Sequence, residues 1–289
     1  YSPFNAKMHS TKAIKKIISV LSIFLFLFLS SNQVFAVLKT SAGTGNWGTA
    51  ATWSPVGIPA AGDDVVIAAG HTVTINVSTT TLLSLIIDGT LVYNSTGNRT
   101  VTVNGNVIVN GTFTVADATT ANNNHTLLIQ GDLDVSGVLS LDANVMNADF
   151  CRVNFNGNNA LQNVTGAGVI SFNTITVNKG VLRSNTVDIQ SVITMTNGGL
   201  TITNGTFKLS SASSITPYIA NATIPVNAGF WNNGGTVTTT GGNITVTGLL
   251  RNSSGDFNLG NNVNNSISAT NPNSNIIMEG GNLTIAGRL

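Results

Sequence analysis

The chain has 289 residues, of which only 8% are charged, and a formal net charge of +1. A single cysteine excludes an internal disulfide framework, and no basic run follows residue 36, which excludes a phosphate-neutralising surface for nucleic acid. A chain of this size without disulfides must hold itself by apolar burial and backbone pairing.

Residues 8–36 read MHSTKAIKKIISVLSIFLFLFLSSNQVFA. Lys12, Lys15 and Lys16 form a positive segment, Ile17 to Leu29 an apolar run, and Val34-Phe35-Ala36 a small-residue cleavage site, the layout of a secretory signal peptide. The apolar run is about 13 residues, short of the ~20 that a spanning helix needs. Tyr1 to Lys7 precede the first methionine and read as upstream read-through, so residues 1–36 are read-through plus signal peptide. Lys7, Lys12, Lys15 and Lys16 leave with this segment; eight basic residues then face eleven acidic ones. No later segment approaches membrane-spanning length, so no span is expected once the leader is removed. Export on a short lysine-rich leader points to a secreted protein in the exterior, or on the outer surface, of a bacterium.

Residues 37–115 read as an N-terminal cap and first rungs. GNWGTAATWSPVGIPAAGDDVVIAAGHTVTINV, from Gly45 to Val77, concentrates the residues that are scarce elsewhere. Trp47 and Trp53 are suited to cover a first rung, and Pro55 and Pro59 to block edge pairing. In a strand, the adjacent Asp63 and Asp64 would point to opposite faces. In a turn after Gly62 they bond backbone amides and start the strand VVIAAG. His71 and His125 are isolated, without HExxH or a Cys/His cluster, and read as structural or surface residues.

From residue 65 the hydrophobic period is two: Val73, Ile75 and Val77, then Leu83, Leu85 and Ile87, then Val101, Val103, Val107 and Val109. Such alternation predicts strands with one buried face, and no segment has helical spacing. The 37 asparagines after residue 36 supply turn residues that tolerate left-handed backbone. One unit recurs as GNVIVNGTF (105–113), GDLDVSGVL (131–139), GNITVTGLL (242–250) and GNLTIAGRL (281–289), with GGLTITNGTF (198–207) one residue longer. Two all-β architectures fit. The Asn-Gly dipeptides of TVTVNGNVIVNGTFTV are hairpin signals, giving an antiparallel meander or sandwich. The recurring unit, the lack of helices and the stackable asparagines favour a parallel β-helix, a solenoid of roughly ten rungs of about 22–26 residues. Residues 116–289 are then β-helix repeats. They end on a complete unit with no polar cap, and therefore read as truncated at the C-terminus.

Candidate sites are few. In GDLDVSG, Leu133 and Val135 face inward, so Asp132 and Asp134 project outward together. With no companion ligand they read first as a solvated strand face, and only secondarily as metal candidates, for calcium; no metal and no cofactor is otherwise expected. Cys151 precedes Arg152, but DFCRVNF alternates like a strand, and burial is expected. Neither GxSxG nor GxxxxGK[ST] occurs, and no catalytic residue is assigned. The segment 214–237 departs from the monotone and reads as a longer loop leaving the rod. Tyr218 and Trp231 are its candidates for contact with a glycan or partner, while Phe230 and Trp231 are equally suited to pack on the rod's own flank.

The order Trp47, Trp53-Ser54-Pro55, Gly57-Ile58-Pro59, Gly62-Asp63-Asp64-Val65-Val66-Ile67, Gly70-His71-Thr72-Val73, followed by Leu82-Leu83-Ser84-Leu85-Ile86-Ile87-Asp88-Gly89-Thr90-Leu91, carries a resemblance. It resembles the N-terminal region of large β-repeat, adhesin-like surface proteins of Bacteroidetes-type bacteria. It is also similar to the eight-glycine extracellular domain of some animal surface and hyaluronan-related proteins. The likeness covers about residues 45–115. It implies a right-handed β-helix, export to the cell surface, often adhesion, and a C-terminal type IX secretion sorting domain that the sequence does not contain. No catalytic residue carries over, and neither does the hyaluronan connection. The expectation is a secreted or cell-surface structural and adhesive stalk, not an enzyme, with an unidentified extracellular glycan or protein ligand. The alternatives are a polysaccharide lyase or hydrolase using Asp132 and Asp134 with Arg152 and Arg183, and a passive sugar-binding module.

Overall fold

The computed structural model describes residues 36–116, 123–142, 149–219, 223–239, 243–260 and 264–285, with the side chains of 218 and 219 excepted. The expected read-through and signal peptide lie outside the described residues, apart from Ala36, as does the end of the last repeat unit.

Short period-two segments such as TVTV cannot bury their aliphatic side in isolation, so they stack. Asp64–Ile67, Ser84–Ile87, Val107–Val109, Leu133–Val135, Leu161–Thr165 and Thr186–Ile189 follow one another in parallel on one face. Thr72–Ile75, Thr90–Tyr93, Thr112–Val115 and Val138–Ser140 form a second. Thr81–Leu82, Thr100–Val103, Asn124–Ile129 and Phe150–Phe155 form a third. The chain visits the three faces in turn and returns one rung higher, a parallel β-solenoid of about ten turns. The meander reading is thereby excluded. Val107 is bonded to neither Val101 nor Phe113; it stands between Leu85 and Leu133 of the adjacent rungs.

Rung length is less uniform than expected: Val65 meets Leu85, 20 residues on, whereas Leu133 meets Val164, 31 residues on. Excess residues are absorbed at corners, where the backbone is solvated and length costs little. Higher in the rod, strands run around corners unbroken. Val169–Asn178 pairs through 169–171 with the second face and through 174–177 with the third.

Inside, like residues stack on like. Leu82, Val103, Ile129, Phe155, Val177 and Ile202 form one continuous ladder, every member 5% exposed or less. Each such side chain contributes about 1.5–3 kcal/mol when fully buried, before entropy is counted. One ladder changes chemistry: Leu209 is followed by Asn232 and Asn252. Asn232 Nδ2 donates to Asn252 Oδ1 at 2.8 Å and to the Gly235 carbonyl at 3.0 Å, so the expected stacking of asparagines occurs in the interior.

The recurring glycine unit marks a corner rather than a rung. In 105–113 and 131–139 it turns the chain from first face to second, while in 242–250 it turns it from third face to first. That is why its copies lie at irregular spacings. The stack also begins earlier than expected. Leu38–Ser41 pairs in parallel with Asp64–Ile67, so Asp64 opens the second strand of that face. Lys39 and Ser41 point inward there, and this polar inner pattern concealed the strand. The outer edge of Leu38–Ser41 is taken by Trp53–Ser54, which runs antiparallel to it.

Candidate functional site

The scarce residues of 45–77 are held in structural bonds. Trp47 and Trp53 are fully buried, edge to face at 4.8 Å between ring centroids. Trp53 Nε1 donates to the Trp47 carbonyl at 2.9 Å. Asp63 is buried, accepting the amides of Val37 at 3.0 Å and Ala60 at 2.8 Å. Asp64 points outward and accepts the Ser84 hydroxyl. Pro55 is exposed, its carbonyl bound by Lys39 Nζ at 2.9 Å; Pro59 is buried, its carbonyl bound by Thr80 Oγ1 at 3.2 Å. His71 Nδ1 meets Ser41 Oγ at 2.9 Å.

Asp132 and Asp134 lie outward beside inward Leu133 and Val135. Asp132 Oδ1 accepts the Asn163 amide at 2.7 Å, one rung up. No group of three or more His, Cys, Asp or Glu side chains gathers to hold a metal among the described residues.

A second group of reactive side chains is sealed inside. His125 and Cys151 are paired in register on adjacent rungs, and Tyr93 stacks on His125 at 4.5 Å. Tyr93 donates to the Thr126 carbonyl at 3.0 Å. Burial pushes the Cys151 thiol up to about 12 and lowers His125 to about 4, the nearby Asp149 charge offsetting only part of that fall. Burial likewise raises Tyr93 well above the ordinary phenol value. A thiol so shifted carries almost no thiolate near neutrality, and the thiolate is the nucleophile.

The described residues of 214–237 do not leave the rod. Ser214–Ile215, Tyr218–Ile219, Thr223–Ile224 and Ala228–Thr238 all occupy rung positions. Its prolines suggested a loop, but Pro217 is buried between two short strands. Phe230 lies in the core between Phe207 at 5.6 Å and Phe257 at 5.7 Å. The Tyr218 backbone pairs with Gly199; its side chain is outside the described residues.

Trp231 lies on the outer side of the first face, in a line that runs along the rod. Asp188, Lys208, Trp231 and Arg251 occupy one outward position on successive rungs. Lys208 Nζ is 4.5 Å from the indole centroid and the Arg251 guanidinium carbon 4.0 Å. Lys208 also pairs with Asp188 at 2.9 Å, and Arg251 with Glu279 at 2.8 Å. Ser253 Oγ accepts the indole N–H at 2.8 Å and donates to Glu279 at 2.6 Å. The bonds from Ser253 and Arg251 hold the Glu279 carboxyl below its usual value. With cations against the ring, a sugar face meets a guanidinium or ammonium before it meets the indole. The sequence singled out Trp231 but not Lys208, Arg251 or Glu279. That Lys208 and Arg251 share the position of Trp231 becomes visible only once rung register is known.

A further cation missed by sequence reasoning is Lys179, which is wholly buried at a corner.

Glycines govern how closely the lower rungs approach. Gly89, Gly111, Gly137 and Gly168 stand above one another at the corner between first and second faces. A Cβ on Gly111, Gly137 or Gly168 would strike the carbonyl oxygen of the glycine below. Among the described residues, no helix is long and apolar enough to cross a membrane. No curated protein and no solved structure matches the chain. Residues 52–167 match the family model of the G8 domain, a domain of extracellular type; the likeness seen over 45–115 therefore reaches further along the rod, through three members of this glycine ladder.

Proposed function

We propose that the chain is a secreted or surface-attached structural rod with an adhesive role and without catalysis. The carrying observation is the line of Asp188, Lys208, Trp231 and Arg251 on the outer side of a solenoid, with Glu279 paired to Arg251 from two residues beyond the position in register. There, two cations flank an aromatic ring in fixed register over successive rungs, each cation paired to a carboxylate. Inside the same rod, His125, Cys151 and Tyr93 are buried and shifted away from reactivity. A G8 domain on a β-solenoid fits an extracellular structural protein. The ligand class is an extracellular glycan or protein bound along the first face, with no cofactor or calcium required.

The test is a glycan array and a whole-cell binding assay, run beside a panel of polysaccharides incubated with and without calcium. Binding weakened by Arg251→Ala and Lys208→Ala, with unchanged β-type circular dichroism and no degradation products, supports the adhesive rod. Polysaccharide turnover lost in Asp132→Ala or Asp134→Ala overturns it in favour of a lyase or hydrolase.

A further inference from the structure

Lys179 ends the third face of one rung, where its backbone amide donates to the Asn204 carbonyl at 3.0 Å. Its side chain runs inward and is fully buried. The terminal nitrogen donates to Asn159 Oδ1 at 2.6 Å and to Gln162 Oε1 at 3.0 Å. Gln162 is itself fixed, its Nε2 donating to the Ile129 carbonyl at 3.1 Å and to that of Gly131. Asn159 is an exposed corner residue whose Nδ2 donates to the Leu161 carbonyl at 2.8 Å. A primary amine is thus pinned against a carboxamide 20 residues away, one turn of the rod below.

We propose that Lys179 and Asn159 become joined by an intramolecular amide bond, so that one rung is covalently tied to the next. The amine gives up a proton and its lone pair adds to Asn159 Cγ. The Cγ–Nδ2 bond then breaks, Nδ2 takes up the proton, and ammonia leaves. One C–N bond forms and one breaks, with no redox change and no co-reactant. The present hydrogen bond lies at the carbonyl oxygen, so a turn of the Asn159 carboxamide brings its face to the amine.

Two features favour the step. Burial lowers Lys179 to about 8, which raises the neutral, nucleophilic fraction well above that of a free lysine. The Asp132 charge offsets only part of that fall. Fixing amine and carboxamide in one corner replaces a bimolecular encounter, an advantage that reaches about 10⁵–10⁸ M in effective concentration. Asn159 is the better acyl donor because it is exposed and ammonia leaves directly to solvent. The Gln162 amide nitrogen is tied to two carbonyls. The bond would give this single-cysteine chain the covalent closure that exported proteins otherwise obtain from disulfides. It stands or falls independently of the adhesive reading.

Tryptic digestion of the folded, purified chain reads the bond directly. Cleavage after Arg152 and Lys179 yields peptide 153–179 at full mass when Lys179 is free. A Lys179 acylated on Nζ is no longer cut, and the expected product is peptide 153–183, lighter than its sequence mass by one ammonia. Asn159→Ala should restore cleavage after Lys179 and the full mass, while Gln162→Ala should retain the link. Succinimide formation at Asn156-Gly157 also loses ammonia but leaves cleavage after Lys179 intact, and that result counts against the proposal. Wild-type peptide 153–179 at full mass overturns it, and so does ammonia loss persisting with blocked cleavage in Asn159→Ala.

Discussion

Gly111 sits directly over Gly89: its amide reaches down to the Ile87 carbonyl at 2.7 Å, the next amide, Thr112, reaches the Gly89 carbonyl at 2.8 Å, and a Cβ on Gly111 would strike that oxygen. The contact is backbone on backbone, so no side chain can swing aside. Relief requires the rungs to part, with loss of the hydrogen bonds that define the corner.

Gly111→Ala is therefore expected to destabilise by at least the ~1–3 kcal/mol typical of overpacking. Gly137→Ala, whose Cβ would meet Gly111, should behave alike. Gly43→Ala, with open space around the new Cβ, should be nearly neutral. Urea midpoints of the three variants check the ordering. Equal midpoints would remove close approach as the reason for the ladder.

Phe230 and Trp231 are neighbours in sequence with opposite fates. Phe230→Ala empties a site between two other phenylalanines and should cost about 3–5 kcal/mol. Trp231→Ala removes two cation–ring contacts at a half-buried position, each worth about 0.5–1 kcal/mol. Chemical denaturation separates the two, and the Trp231 effect should shrink further when Lys208 and Arg251 are already alanine, since contacting residues do not add independently.

How much of this was legible beforehand follows from which forces are local. Alternation at 73–75 and 101–109 reports which side of a strand is dry, so the all-β class and those inward valines were readable, whereas Val77 and Leu83 continue the same pattern but fall outside the strands and are exposed. Outward Asp134 beside inward Leu133 was readable for the same reason. Register is not local. Lys208, Trp231 and Arg251 are 23 and 20 residues apart, and nothing in the sequence says that these differing intervals each make one turn. The strand at 38–41 was hidden because its inward residues are Lys39 and Ser41, polar groups satisfied by Pro55 and His71 from other segments. Prolines in 214–237 signalled a loop because Pro breaks strand ladders, yet a solenoid with short strands accommodates it between them.

Asp63 binds two amides from separate parts of the chain, Val37 before the first strand and Ala60 just ahead of it. Asp63→Ala leaves both donors unpaired around a buried position, where each unmet group costs about 1–3 kcal/mol. Amide hydrogen exchange should accelerate at residues 37–41 and 60–64 while the upper rungs stay protected. Uniform acceleration through the rod would instead mean that the solenoid unfolds as one unit.

His125 makes the stability of the middle rungs sensitive to mild acid. The imidazole is buried against Tyr93 and beside Cys151, accepts the Arg99 amide at 3.2 Å, and feels both Asp149 and Arg99. Desolvation outweighs Asp149, so its value falls from 6.5 to about 4 on folding. Below 6.5 the unfolded chain takes up a proton that the folded chain refuses, and stability rises with pH wherever the unfolded state binds more protons. The contribution is complete above 6.5, drains away as pH falls toward 4, and is spent below that value, where both states are protonated. Carboxylates titrate at the lower end of the same range, so the informative quantity is the difference from a His125→Asn variant, which keeps an acceptor for the Arg99 amide but cannot titrate. Urea unfolding at intervals between pH 7 and 4 should show wild type losing stability more steeply than the variant, with the two curves parallel again below pH 4. Parallel curves across the whole window would mean that His125 stays neutral in both states, or that the unfolded chain already shields it.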